Sequence, residues 1–261
     1  MKRSLLLLCC FFLAALNVSA QSQKLVLLDH YFNHEKQVDK KTGQSIDFHY
    51  LWEETDLNGF SMFGDEFKKR GAKTALLDEA PTLQNLKKAS VYIIVDPDTK
   101  KENPDLKYIQ PEHIKAIESW VKAGGTLLLM GNDTANCEIT HFNALMARFG
   151  MKFLPELQNH VEGKNWEQGA IMVPAGNPVF TTAKKIYMKD ISAIEVKSPA
   201  KSLLSKNNFV AIATASVGKG RVMAVGDPWL YNEYVSHMNL GTDFQNQEAA
   251  GDLAKWLLTH H

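Results

Sequence analysis

Short apolar runs alternate with amphipathic stretches along most of this chain, and that rhythm leaves few folds open to it. Residues 24–28, 73–77, 91–95, 126–130 and 221–225 are short and mostly apolar. They lack the polar alternation of a half-exposed antiparallel strand, so they read as strands of a parallel sheet covered on both faces. Between them, residues 56–70, 111–123, 136–149 and 246–258 repeat apolar side chains at three- and four-residue intervals. In the second of these, Ile114, Ile117, Trp120 and Val121 form one stripe and Gly124-Gly125 supplies the stop. The pattern predicts an α/β fold with a doubly wound, mostly parallel sheet. Residues 151–220 break the rhythm. There, 186–196, 202–205 and 209–213 read as antiparallel strands closed by the turn Gly218-Lys219-Gly220, an antiparallel insertion or edge hairpin within a single domain spanning 21–261.

The first twenty residues read as an address rather than as fold. Lys2 and Arg3 precede an almost unbroken apolar stretch from Leu5 to Leu16, and Val18-Ser19-Ala20 offers small residues for cleavage after Ala20. A signal peptide over 1–20 and a periplasmic or secreted destination are expected, with no membrane attachment after cleavage. Cys9 and Cys10 leave with that segment, and Leu8 stands where a lipidation motif requires a small residue. Cys137 then remains alone, so an intramolecular disulfide is not expected. Across the chain, 29 Lys and Arg balance 29 Asp and Glu. Such a balance lacks the basic field that nucleic-acid binding requires.

Four of the strands finish on an aspartate: Asp29, Asp96, Asp133 and Asp227. Aspartate is also a good turn former and helix cap, which accounts for any one of them. In parallel strands all four share the carboxyl edge of the sheet, where open α/β sheets bind ligands, and as a set they point to a polar pocket. The neighbouring loops carry Asn33, Glu35, His49, Trp52 and Glu53 on one side and Trp229, Tyr231, Asn232 and Glu233 on the other. Carboxylates and amides match sugar hydroxyls, and aromatic faces match sugar rings. The same aromatics would also serve to anchor long loops to the core.

Familiar catalytic constellations are missing. The turn after Met130 has no Ser or Cys, and no Gly-x-Ser-x-Gly is present. Cys137 and His141 are four apart, as a thiol and a base would be on one helical face, although a lone helical Cys is more often a core residue. Glu138 and His141 make one Glu-x-x-His without a second copy, and no nucleotide-binding glycine motif follows a strand. No metal and no cofactor are therefore expected. What remains is carboxylate chemistry, with Asp133, Asp227 and Glu233 as catalytic candidates for an acid and base pair.

The strand order, the turn after residue 130 and the terminal strand, loop and helix resemble the class I glutamine amidotransferase-like fold. More closely, Asp96-Pro97-Asp98-Thr99, the stretch from Asn132-Asp133 to His141, and residues 226–234 (Gly-Asp-Pro-Trp-Leu-Tyr-Asn-Glu-Tyr) are similar to a domain attached to bacterial unsaturated rhamnogalacturonyl hydrolases. The amidotransferase Cys and His-x-Glu are missing, so glutaminase activity is not expected. The resemblance implies a flavodoxin- or amidotransferase-like domain working in pectin breakdown in a Gram-negative periplasm, and adds Asp98, Asn132, Glu138 and His141 to the ligand-binding candidates. The expected function is an accessory protein that binds an oligosaccharide derived from rhamnogalacturonan. The alternatives are a glycoside hydrolase or esterase using the same edge, and a structural partner of a separate hydrolase chain.

Overall fold

The structure, a computed structural model, describes residues 23–237 and 240–259. The expected signal peptide lies outside the described residues. Among the described residues, thirteen strands and six α-helices follow in chain order. The first half holds β1 (Leu25–Asp29), β2 (Lys36–Val38), β3 (Ser45–Asp47), α1 (Ser61–Lys68), β4 (Lys73–Leu77), α2 (Leu83–Leu86), β5 (Val91–Val95), α3 (Pro111–Lys122), β6 (Thr126–Met130) and α4 (Ile139–Met146). The second half holds β7 (Met151–Gln158), β8 (Ala170–Met172), β9 (Lys185–Tyr187), β10 (Ile191–Val196), β11 (Lys201–Lys206), β12 (Phe209–Val217), β13 (Gly220–Val225), α5 (Asn232–Val235) and α6 (Asn246–Leu258).

Seven strands form the central sheet in the order β11-β12-β13-β6-β5-β1-β4. The five runs singled out by their apolar character are its parallel members, and β12 and β11 extend one edge antiparallel. Both faces are covered, which is why the runs do not alternate with polar residues. Successive side chains divide between two cores, as the pleat requires. Val26, Ile93, Leu128 and Met223 pack with Phe63 and Phe67 of α1 and Leu253 of α6. On the other face, Leu27, Tyr92, Leu127 and Val222 pack with Trp120 of α3 and Phe142 of α4.

Helix boundaries differ from expectation for local reasons. Residues 56–60 are loop, because Gly59 lies against the backbone of Glu54 so closely that a Cβ would come within 1.9 Å of the Glu54 carbonyl oxygen. The helix expected from residue 136 starts at Ile139, capped by the Glu138 carboxylate accepting from the N–H groups of Thr140 and His141. The β-rich stretch also divides: residues 201–217 join the main sheet, while β7 pairs with β10 and β8 with β9 in small antiparallel sheets. The continuous strand expected over 186–196 is broken at Lys189-Asp190, where Asp190 adopts φ 49°.

One contact sets the position of the site. The Ser192 N–H donates to the Gly226 carbonyl at 2.9 Å, and the Ser192 hydroxyl donates to the Asn132 carbonyl at 2.6 Å. A Cβ at Gly226 would come within 2.2 Å of the Ser192 carbonyl oxygen, so only glycine lets β10 lie this close to the ends of β6 and β13. That approach carries Lys189 and Asp190 over the carboxyl edge of the sheet.

Candidate functional site

A cleft of about 320 Å³ opens at this edge, lined by residues following β6 and β13, by the turn before β10 and by the loop that precedes α1. From the strand ends come Asn132, Asp133 and Asp227; from the turn, Lys189 and Asp190; from the loop, His49 and Asn58. Asn136 and the segment of Tyr231, Glu233 and Tyr234 complete it. Its wall is largely polar, and its size is near the lower end of small-ligand sites.

Asp227 is buried, and its Oδ2 accepts from the Lys189 backbone N–H at 3.2 Å. Burial pushes its carboxyl up to about 8, with Asp190 and Asp133 adding to the rise and the Lys189 N–H opposing it. The group therefore holds its proton at neutral pH beside two further carboxyl groups. Asp133 is held by its own turn: Oδ1 accepts from the Ala135 N–H at 2.8 Å and Oδ2 from the Asn136 side chain at 2.7 Å. Glu233 stands in the first turn of α5.

Beneath the cleft lies a hydrogen-bonded group centred on Asp96. Its Oδ2 accepts from the Tyr50 hydroxyl at 2.6 Å and from the Asn132 Nδ2 at 2.8 Å. Burial pushes Asp96 well above the usual carboxylate range in spite of those bonds. Tyr50 continues the chain to the Tyr231 hydroxyl at 3.0 Å, with the two rings stacked at 5.4 Å. Several backbones here are strained: φ is 71° at His49, 57° at Tyr50 and 46° at Asp96, values that cost non-glycine residues of order 1 kcal/mol or more each. The strain is offset by the bonds it permits, since Tyr50 reaches Asp96 only from such a loop.

The four strand-terminal aspartates do not converge. Asp133 and Asp227 line the cleft and Asp96 lies under it, but Asp29 turns to the α3 and α4 face with Tyr92. There it accepts from the Phe32 N–H at 2.7 Å, and burial pushes it up to about 7. Asn33 donates to the Asp96 carbonyl at 2.7 Å, Glu35 accepts the Nδ1 of His49 at 2.9 Å, and the Asp98 Oδ2 accepts from Asn103 at 2.6 Å. All three brace loops rather than line the cleft. Glu53 is exposed and outside it, while Glu138 caps α4 and the His141 ring lies tilted against Tyr108, 4.4 Å between centroids.

Two aromatics expected as sugar platforms must be corrected. Trp229 is 0% exposed and meets Phe180 edge-on, and Trp52 is 3% exposed among Phe60, Phe63 and Phe67. Their large apolar area is spent in the core, so neither offers a face to a ligand. Asn232 is likewise structural. Its Nδ2 donates to the carbonyls of Glu54 and Asp56 and its Oδ1 accepts from the Met62 N–H at 3.0 Å, which fastens the loop before α1. Cys137 is buried, and burial, with Asp96 next, pushes its thiol well up, the opposite of an activated nucleophile. Conversely, Tyr50, Asn58, Asn136, Lys189, Asp190 and Tyr234 escaped sequence reasoning. Lys189-Asp190 left one signal, a charged pair interrupting an apolar stretch.

Among the described residues no group of three or more His, Cys, Asp or Glu is arranged to hold a metal ion, and no helix is long and apolar enough to cross a membrane.

Residues 53–236 match the family model described as a domain of unknown function (DUF4350). The chain belongs to this family. The match takes in the cleft's strand ends and the Lys189-Asp190 turn, but β1, Tyr50 and α6 lie beyond its limits. No curated protein sequence matches the chain. Among solved structures, the chain is similar to the mmIFT52 N-terminal domain, at 14% identity over 90% of this chain and 98% of that one, with a TM-score of 0.66. The cytoplasmic protein STM1381 from Salmonella typhimurium LT2 is similar at 12% identity over 92% and 100%, TM-score 0.55. Part of a β-galactosidase from Rahnella sp. R3 is similar at 14% identity, covering 91% of this chain and 32% of that chain, TM-score 0.54. At these identities the likeness is one of fold.

Proposed function

We propose that this chain is an exported carbohydrate-binding protein that takes an oligosaccharide in the cleft at the carboxyl edge of its sheet. The observation that carries the reading is the cleft itself. Carboxyl, amide and phenolic groups from two strand ends, the turn before β10 and the Tyr231–Tyr234 segment face one space, with little apolar wall between them. Such a surface suits a polyhydroxylated ligand, whose hydroxyls both donate and accept. The finer fold assignment, a flavodoxin- or amidotransferase-like sheet, is supported by the parallel strand order β4-β1-β5-β6-β13. The part played by pectin rests on the sequence resemblance alone. Export rests on residues 1–20, and docking to a separate hydrolase is a weaker reading with no structural support.

Calorimetric titration with a panel of neutral, amino and rhamnogalacturonan-derived oligosaccharides tests this. Binding that falls at least about tenfold in Asp133→Asn and Glu233→Gln supports the reading; no heat with any member of the panel overturns it.

One observation favours a second reading, hydrolysis of the bound sugar. Asp227 keeps its proton up to about pH 8 in a cleft that also holds Asp133 and Glu233, and glycoside hydrolysis needs one protonated carboxyl group beside a second carboxylate. In that reaction Asp227 protonates the departing glycosidic oxygen while a second carboxylate removes a proton from the attacking water. Mass spectrometry of the same mixtures decides: a product that forms with the wild type and not with Asp227→Asn makes the chain an enzyme, and an unchanged mixture leaves binding alone.

A further inference from the structure

A chain of hydrogen bonds under the cleft ends on Tyr231 and bears on what that residue offers a ligand. The Asp133 backbone N–H donates to the Asn132 Oδ1 at 2.8 Å, which sets the orientation of that amide. The Asn132 Nδ2 must then be the group that donates to Oδ2 of Asp96. Oδ2 of Asp96 thus accepts from Asn132 and again from Tyr50. The other oxygen, Oδ1, is buried without an oxygen or nitrogen partner, next to the Cys137 thiol. With its single hydrogen committed to Asp96, Tyr50 can only accept from Tyr231. Tyr231 has spent its hydrogen in turn, and presents lone pairs to the cleft.

Around the rest of the wall carboxyl groups outnumber cations, beside the amides of Asn58 and Asn136 and the Tyr234 hydroxyl. Asp133, Asp190 and Glu233 are acceptors, and against them the cleft sets the Lys189 ammonium and the His49 ring, itself engaged by Glu35. Behind the lining, the Tyr187 hydroxyl is buried without a hydrogen-bond partner, in the field of Asp227, Asp190 and Glu233.

We propose that the cleft selects a sugar unit bearing a protonated amine, an amino sugar, over a uronic acid, with Tyr231 as the acceptor that reads it and Tyr50 as the residue positioning that acceptor. The proposal rests on the oligosaccharide reading above and narrows its ligand class. An ammonium brings three donors and a positive charge to a wall on which carboxyl groups outnumber cations, whereas a uronate brings a further carboxylate to the same wall and meets like charge. This departs from the rhamnogalacturonan ligand that the sequence resemblance implies.

Three tetrasaccharides on the same β-1,4-linked glucose backbone make the test: glucosamine, glucose and glucuronic acid tetramers, titrated into the full chain at mildly acidic pH, where the amine is charged. Glucosamine is expected to bind about tenfold or more tighter than glucuronate, with glucose between. Tyr231→Phe is expected to lower glucosamine affinity about tenfold. Tyr50→Phe releases the Tyr231 hydrogen to turn into the cleft, so it is expected to shrink the glucosamine-to-glucuronate ratio severalfold, a change that loosened packing alone does not produce. Glucuronate binding as tightly as glucosamine overturns the proposal and leaves oligosaccharide binding standing. So does failure of all three tetramers when another member of the wider panel binds. Silence of both sets removes the oligosaccharide reading and this inference with it. Should Tyr50→Phe not fold, the three-ligand ranking and Tyr231→Phe still decide.

Discussion

Tyr50 donates its hydroxyl hydrogen to Asp96 at 2.6 Å, and both residues hold positive φ to make that bond, 57° and 46°. A residue from a polar loop is thereby tied to a strand end 46 positions away, under the floor of the cleft. Tyr50→Phe keeps the ring and removes the bond, leaving Asp96 with one donor fewer in a buried site. We expect a loss of about 1–3 kcal/mol in denaturant unfolding. Asn132→Ala removes the other donor, and the double variant is expected to depart from additivity because both act on one oxygen. Strict additivity would show that the two bonds are independent.

Burial of Asp227 makes stability depend on pH in a defined direction. Its folded value, about 8, lies above the ordinary 3.8, so between those limits the unfolded chain releases a proton that the folded chain retains. The contribution is complete below about pH 4 and is lost progressively as pH rises to about 8. Asp29, raised to about 7, acts in the same direction over a narrower window. Urea unfolding of wild type and Asp227→Asn from pH 5 to 7 is expected to give stability slopes differing by about 1.4 kcal/mol per pH unit, the wild type falling more steeply. Parallel slopes would place the Asp227 carboxylate in contact with water.

Trp229 separates core from platform. Fully buried against Phe180, it is expected to cost about 3–5 kcal/mol when replaced by Ala. Saccharide titration followed by fluorescence of a variant retaining Trp229 as its sole tryptophan should leave the emission maximum unmoved. A ligand-dependent shift there would reopen the stacking role.

Gly226 tests the close approach of β10 that carries Lys189 and Asp190 to the cleft. A Cβ 2.2 Å from the Ser192 carbonyl oxygen has no room, and backbone cannot move aside cheaply. Gly226→Ala is expected to destabilise the fold by about 2 kcal/mol or more and to weaken saccharide binding. Normal binding at normal stability would mean that β10 does not set the cleft's shape.

Much of the sheet could be read directly from the chain. The runs at 24–28, 73–77, 91–95, 126–130 and 221–225 are mostly apolar because the sheet is covered on both faces, and that cause acts locally enough to leave a mark on sequence. The end of β1 was less legible. Asp29 closes β1 whereas Asp227 lies two residues beyond β13, and Asp29 faces Tyr92, because the pleat sends adjacent residues to opposite sides and sequence position alone does not say which side holds the cleft. Trp229 was misleading for a related reason. An aromatic in a polar loop has the same composition whether the loop turns outward or folds its ring into the core.

By itself the sequence determined the parallel strands, the helices that cover them and the crowding of aspartates at one edge, since periodicity and turn chemistry are properties of neighbouring residues. The tertiary structure alone decided which of those aspartates share a cleft, that Lys189 and Asp190 arrive there from a strand break far along the chain, and that Tyr231 joins the cleft wall to the Asp96 group. Those outcomes depend on the order in which strands pair, on one glycine letting β10 approach, and on the direction of a hydrogen-bond chain running from Asn132 through Asp96 and Tyr50. Each joins residues distant in sequence, and short-range patterning carries no record of such a meeting.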